Sequence, residues 1–231
     1  MPAYQLNGFN LYYERSERSA RSGPGTAVVY IHGGFASLAS RMIPPDSYAW
    51  DWENDFAAHF DFVEYERRGC FRSACPDSGY DIPTQTADLE ALLDHLQIPS
   101  AHLVGSSAGG PIALLFAATR PRRVRSLTLA GSSLKFFRPG NPVTEIVTRL
   151  GAILEQEGAQ AAFTARPEGV ETNFGILWEL EEMKTSGMEE AYLARQKRDA
   201  ARAATLSTEV RLRHFAAELR KIGRASCRER V

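Results

Sequence analysis

A chain of 231 residues with 44% apolar and 24% charged side chains has the composition of a globular protein of one or two domains that can bury a sizeable core. Its 27 Lys+Arg against 28 Asp+Glu leave a net charge of −1, which argues against a partner recognised by phosphate neutralisation, nucleic acid or anionic membrane. Three cysteines, Cys70, Cys75 and Cys227, are too few and too irregularly spaced for a disulfide framework, so a reducing, cytoplasmic compartment is expected.

The first residues, Met1–Gly8, carry neither the basic start nor the apolar run of a secretory signal. Tyr4–Asn7 and Phe9–Glu14 are β-prone runs around an Asn7-Gly8 turn and predict a hairpin. Ser16–Gly25 is charged and then rich in Ser, Gly and Pro, the composition of a surface loop. Thr26–Ile31 (TAVVYI) is apolar without alternation, as a strand covered on both faces requires. Asp61–Glu66, Ala101–Val104 and Val124–Ala130 have the same strand character.

Helical patterns separate these strands. In Thr84–Gln97 the residues Leu89, Leu92, Leu93 and Leu96 recur at helical spacing, and Pro99 stops the pattern. Ala108–Thr119 reads as a second helix with Pro111 in its first turn, where a missing N–H is tolerated. The uncharged stretch Leu103–Thr119 is shorter than the roughly 20 residues that span a bilayer, and it reads as a buried strand entering a buried helix. Strand–helix alternation at this spacing predicts an α/β fold with a mostly parallel sheet and helices on both faces. The expected core part is residues 1–140, followed by a helical insert or lid over 141–221, with helices around Leu150, Trp178, Tyr192 and Leu212 and no strand.

The sharpest chemical signal is Gly105-Ser106-Ser107-Ala108-Gly109, a G-x-S-x-G sequence where a strand gives way to a helix. A tight turn there lifts a serine oxygen out of the sheet edge, and the flanking glycines relieve crowding. Ser107 is the candidate nucleophile. A serine of this kind needs two N–H donors for the oxyanion, one from the residue after it and one from the loop after an earlier strand. Ala108 and Gly34 are the candidates, with Phe35 the fallback for the second. His32-Gly33-Gly34 follows the TAVVYI strand; His32 precedes the serine and is read as a structural residue that bonds nearby loop backbone. No His/Cys/Asp/Glu spacing suggests a metal site, and no phosphate or dinucleotide loop is present, so no cofactor is expected. Arg67, Arg68 and Arg72 read as a solvated basic loop, and Cys70 and Cys75 as residues without a catalytic role.

In order, the elements VVYIHGG, YERRGCFRS, TADLEALLDHL, LVGSSAGGPIALLFA and RVRSLTLAG resemble those of α/β-hydrolases, and within them the prolyl-aminopeptidase-like branch. The resemblance covers about residues 26–135 and extends loosely through the lid. Three positions depart from that branch: Phe35 for a proline, Glu66 for an aspartate and Phe71 for a glycine. The resemblance implies a serine hydrolase acting on a small-molecule ester, amide or short peptide, with a catalytic acid and histidine that follow the lid. In such peptidases acidic lid residues hold the substrate's amine; Trp178-Glu179-Leu180-Glu181-Glu182 is read instead as a solvated helix face, while Phe174, Trp178, Met183 and Met188 fit the lining of an apolar pocket and lid–core packing equally well. The one histidine after Ser107 is His214, inside the helical run RLRHFAAELRK, and it is read as a lid residue.

Two expectations concern the end of the chain. Ile222–Val231 (IGRASCRERV) matches, residue for residue, one reading frame of a common sequencing adapter, so it is expected to be a non-native tail that begins where Gly223 interrupts a helix. The sheet is accordingly expected to lack its last two strands and to leave an open edge beside the sixth. The alternative function is a non-catalytic binding protein on the same fold.

Overall fold

In the computed structural model, residues 3–6, 8–16, 27–33, 56, 59–70, 72–132, 142–167 and 207–226 are described. Gly34, Phe35, Phe71, Phe174, Trp178–Glu182, Met183, Met188, Tyr192 and Cys227 lie outside them. The chain divides into two units, Met1–Leu134 and Lys135–Val231.

The first unit is built on a sheet of six strands in the order β1-β2-β4-β3-β5-β6. β1 (Ala3–Leu6) and β2 (Phe9–Ser16) pair antiparallel with Leu6 opposite Phe9, and Gly8 turns the chain at φ +88°. This is the hairpin expected from Asn7-Gly8, because a tight turn of this hand needs positive φ. β2 also pairs antiparallel with β4 (Asp61–Glu66). From there the sheet is parallel: β3 (Ala27–Ile31) lies between β4 and β5 (Ala101–Ser106), and β6 (Val124–Ala130) follows β5. All five residues of β3 are buried, which is why its sequence is apolar without alternation.

Register sorts the side chains into two faces. Val63, Val29, Leu103 and Leu127 are aligned in one row across β4, β3, β5 and β6. Their face packs against α1 (Ile82–His95) through Leu89, Leu92 and Leu93, and against α2 (Gly110–Thr119) through Ile112, Ala113 and Phe116. The opposite face carries Val28, Tyr30, Phe62 and Val104, with Phe56 and Phe60 against them. Among the described residues Leu129 on β6 is the one exposed large hydrophobic side chain.

Element ends differ from the sequence expectation for identifiable reasons. α1 starts at Ile82, not Thr84, because the Asp81 carboxylate accepts the Thr84 N–H at 2.8 Å and Pro83 fits the first turn. It ends at His95 in a two-bond C-terminal cap: the Gln97 N–H reaches Asp94 O and the Ile98 N–H reaches Leu93 O, with Gln97 at φ +55°. β5 runs on to Ser106, because Gly105 and Ser106 pair with Leu129 and Ala130 of β6. The helix expected from Ala108 begins as a 3-10 turn over Ser107–Gly109 and becomes α2 only at Gly110.

The second unit is helical throughout its described residues: α3 (Pro142–Glu157), α4 (Ala159–Thr164) and α5 (Thr208–Ser226). Val147, Leu150, Ala162, Phe215, Ala217 and Leu219 are among its buried side chains, with the Phe163 ring edge-on to Phe215 at 5.1 Å. α5 continues through Gly223, where the sequence pattern was expected to break, to Ser226. One interior glycine costs a helix only about 1 kcal/mol, and alanine and arginine around it are good helix formers. No helix among the described residues is long and apolar enough to cross a membrane.

Gln97 holds a left-handed conformation that glycine adopts without strain. Gln97→Gly should therefore raise unfolding stability by about 0.5–1 kcal/mol, read as a higher urea midpoint at unchanged slope. A lower midpoint would show that the cap is not formed.

Candidate active site

β4 and β5 lie on opposite sides of β3, so the chain leaves β3 in one direction and returns on the other. Parallel sheets open a crevice outside the carboxyl ends of the strands at such a reversal. Two short segments meet there: His32-Gly33 after β3 and Ser107 after β5. Ser107 is half-buried and sits at φ +46°, a left-handed conformation uncommon outside glycine. A residue held there typically carries about 1–3 kcal/mol of strain, and it persists only where its surroundings over-determine it.

The surroundings are glycines whose missing side chains are structural requirements. A Cβ on Gly109 would stand 2.1 Å from the Ile31 carbonyl oxygen and 2.7 Å from that of His32. One on Gly105 would come within 2.8 Å of the Gly110 Cα and 2.9 Å of the Ala113 Cβ. One on Gly33 would lie 2.9 Å from the Ser107 Cβ and 3.6 Å from its Oγ. The G-x-S-x-G spacing is thus what lets α2 start against the end of β3 while the serine stands up between them.

Ser132, just past β6, also belongs to this turn, and no sequence signal singled it out. Its Oγ donates to the Ser107 carbonyl at 3.0 Å, and it fills the space a side chain on Gly110 would need. Burial pushes the Tyr30 phenol above the ordinary tyrosine range, and the Ser106 side chain partly pulls it back. Ser132 lies 25 residues from Ser107 in sequence, so only the pairing of β5 with β6 brings them together.

Behind the crevice the basic run expected to be solvated is drawn into the protein instead, with Arg67 and Arg68 buried and Arg72 half-buried. Arg67 and Arg68 are only 3% and 6% exposed. Arg68 makes a two-pronged bond to Asp88, 2.7 Å on each arm, while its guanidinium stacks 4.6 Å from the Phe9 ring centre. Burial pushes the Asp88 carboxyl up, and the bonds from Arg68 pull it back. Arg72 bonds Glu66 through both its backbone N–H (2.6 Å) and its Nε (2.7 Å), reaches Glu14 at 3.0 Å, and covers the Tyr12 ring. Sequence reasoning missed this because Glu14 on β2 and Asp88 on α1 are far from the arginines in sequence, and because Glu66, although it directly precedes Arg67, turns back to Arg72 six residues on.

His32 is fully buried and bonds loop backbone, as its position before the serine suggested. Its Nε2 accepts the Arg67 N–H at 3.0 Å, which leaves Nδ1 to donate to the Gly33 carbonyl at 2.5 Å. Of the other histidines in this unit, His102 is four residues before Ser106 on β5, about 13 Å along the strand. His59 precedes β4 at the far end of the parallel strands. His95 stacks on Tyr4 of β1, four strand spacings or about 19 Å from β5. His214 is buried on α5 in the second unit. Ala108 follows Ser107 within the 3-10 turn, which has no side-chain cap over its first N–H groups. Gly34 is outside the described residues. No group of three His, Cys, Asp or Glu suited to a metal ion occurs among the described residues.

Residues 26–160 match the family described as alpha/beta hydrolase fold. A proline iminopeptidase of Lactiplantibacillus plantarum is 31% identical over 132 residues, 55% of this chain and 42% of that protein. A non-heme chloroperoxidase of Streptomyces lividans is 32% identical over 133 residues, 54% of this chain and 42% of that protein. The matched part of the chain spans somewhat under half the length of each of these curated relatives. Among solved structures, the enol-lactonase from Burkholderia xenovorans superimposes with a TM-score of 0.60 at 21% identity, covering 96% of this chain and 73% of that one. An alpha/beta hydrolase enzyme from a deep-sea metagenome library does so with a TM-score of 0.61 at 18% identity, covering 97% and 72%.

Two glycine substitutions separate the turn from ordinary helix positions. Gly109→Ala should destabilise the protein by about 3 kcal/mol or more, because backbone must move to admit the methyl group. Gly151→Ala, in α3 with open space around it, should stabilise by about 0.5–1 kcal/mol. Thermal unfolding of both variants checks this; a harmless Gly109→Ala would mean that α2 does not start against β3.

Proposed function

The chain belongs to the alpha/beta hydrolase fold family, and from that premise we propose that it carries the nucleophile half of a serine hydrolase acting on a small ester, amide or short peptide. The observation that supports this most is Ser107 itself, held at φ +46° in the crevice where β3 and β5 end, against Gly33. In this reading Ser107 Oγ attacks the substrate carbonyl while the N–H groups of Ala108 and Gly34 receive the developing oxyanion. Phe35 is the fallback second donor. Residues 141–221 serve as a helical lid. The named activity of the iminopeptidase relative makes short peptides one substrate class. Phe35, Glu66 and Phe71, which depart from that branch, weaken an aminopeptidase reading and leave the hydrolase reading intact. The few, irregularly spaced cysteines support a reducing, cytoplasmic setting.

The base and the acid that complete the triad lie outside residues 1–231 in this reading. Of the histidines in Met1–Leu134, His32 alone adjoins the crevice, and both its ring nitrogens are engaged. A serine without its histidine loses several orders of magnitude in rate, keeping only what the oxyanion donors and binding supply. The same observation favours a second reading, a ligand-binding protein on this fold that never had a base.

A fluorophosphonate probe, with imidazole added as an external base, should modify Ser107 and leave Ser107→Ala unmodified, as read by peptide mass spectrometry. Ester turnover by the chain without imidazole should match that of Ser107→Ala. Fast Ser107-dependent turnover would overturn the external base, and modification that spares Ser107 would overturn the nucleophile and favour the binding protein.

A further inference from the structure

Behind the segment that follows β3 lies a buried cation with no anion beside it among the described residues. Among the described residues no carboxylate comes within ion-pair distance of Arg67, whereas Arg68 pairs with Asp88 and Arg72 with Glu66 and Glu14. The Arg67 guanidinium instead donates to three neutral oxygens: His32 O at 3.1 Å, Gly33 O at 2.9 Å and Gln85 Oε1 at 2.8 Å. Burying a charge on dipoles alone is costly, so the site must make use of where that charge stands.

Two of the three acceptors belong to the loop itself. The Gly33 carbonyl is held twice, by Arg67 Nη2 and by His32 Nδ1–H. His32 in turn is oriented by the Arg67 backbone N–H on its Nε2. Arg67 therefore fixes the loop through both its main chain and its side chain. Gln85 completes the anchor from α1, its own amide nitrogen donating to Tyr80 O at 2.7 Å so that its oxygen faces Arg67. A peptide unit is planar, so a carbonyl held at Gly33 sets the direction of the N–H in the same unit. Donors on that carbonyl also polarise the unit and strengthen its N–H as a donor.

We infer that Arg67 is the positioning residue of the oxyanion loop, locking the His32 and Gly33 carbonyls from behind and keeping a fixed positive charge at the back of the point where negative charge develops on the substrate. This rests on the assignment of Ser107 as nucleophile. It gives the buried cation a use that packing does not, because a preorganised charge in a site shielded from water stabilises a transition state more than a solvated one can. Arg67 touches neither substrate nor Ser107; it acts through the loop.

Two variants and two measurements test this. Arg67→Gln removes the charge and the fork, and Arg67→Lys keeps the charge without the fork. In amide hydrogen exchange of the 231-residue chain, Arg67→Gln should speed exchange in peptides covering 28–36 by about tenfold or more while peptides covering 88–95 of α1 keep their wild-type rates. Arg67→Lys should fall between, and if Arg67→Gln exchanges fast everywhere, Arg67→Lys alone decides the matter by the same comparison. In fluorophosphonate labelling with imidazole, Arg67→Gln should lower the maximal rate about tenfold at an unchanged half-saturating probe concentration, with Arg67→Lys losing less. Wild-type exchange over 28–36 in the variants overturns the inference, as does an unchanged maximal rate. Absence of Ser107 modification in the unsubstituted chain overturns the nucleophile instead, and exchange still decides whether Arg67 anchors the loop.

Discussion

The site depends on how closely two backbone segments approach one another at the carboxyl edge of the sheet. Gly109 lies under the carbonyls that end β3, and Gly33 lies against the Cβ of Ser107. Neither contact admits a methyl group. Because β3 is the strand at which the chain reverses direction across the sheet, these contacts fall where a parallel sheet opens a crevice. The left-handed serine follows from them: with α2 pressed to the end of β3, the chain leaving β5 has to turn sharply at residue 107.

Strain at one serine is small beside what holds the two segments. Val29, Ile31, Leu103, Ile112, Ala113 and Phe116 are fully buried beneath the turn. A buried aliphatic or aromatic side chain contributes about 1.5–3 kcal/mol relative to exposure. Against that, about 1–3 kcal/mol of backbone strain is readily over-determined. Ser132 adds a direct tie from β6 to the Ser107 carbonyl, so three adjacent parallel strands converge on one residue.

Elements with local signatures were legible in the sequence. The Asn7-Gly8 hairpin, the non-alternating β3 and the leucine stripe of α1 each follow from spacing that one short segment contains. G-x-S-x-G located the turn because the motif is itself one short segment, although the contact that requires Gly109 is with the Ile31 and His32 carbonyls of a distant strand end. What the sequence hid was long-range. Three arginines within six residues look solvated until β2 and α1 deliver Glu14 and Asp88 to two of them and the loop after β3 delivers neutral carbonyls to the third. Ser132 was invisible because its partner is defined by strand pairing. Helix ends shifted by two residues wherever a side chain or a left-handed residue capped the backbone, as Asp81 and Gln97 do.

The central claim is that the end of β3 and the turn after β5 together form a cradle for charge on a substrate bound to Ser107. The most direct test is a crystal structure of the chain carrying a phosphonate on Ser107. The phosphoryl oxygen should lie at hydrogen-bonding distance, about 2.7–3.1 Å, from the Ala108 N–H and from an N–H of the loop after Gly33, with Ser107 still left-handed. A phosphoryl oxygen turned to solvent, or a Ser107 relaxed to ordinary helical backbone, would contradict it.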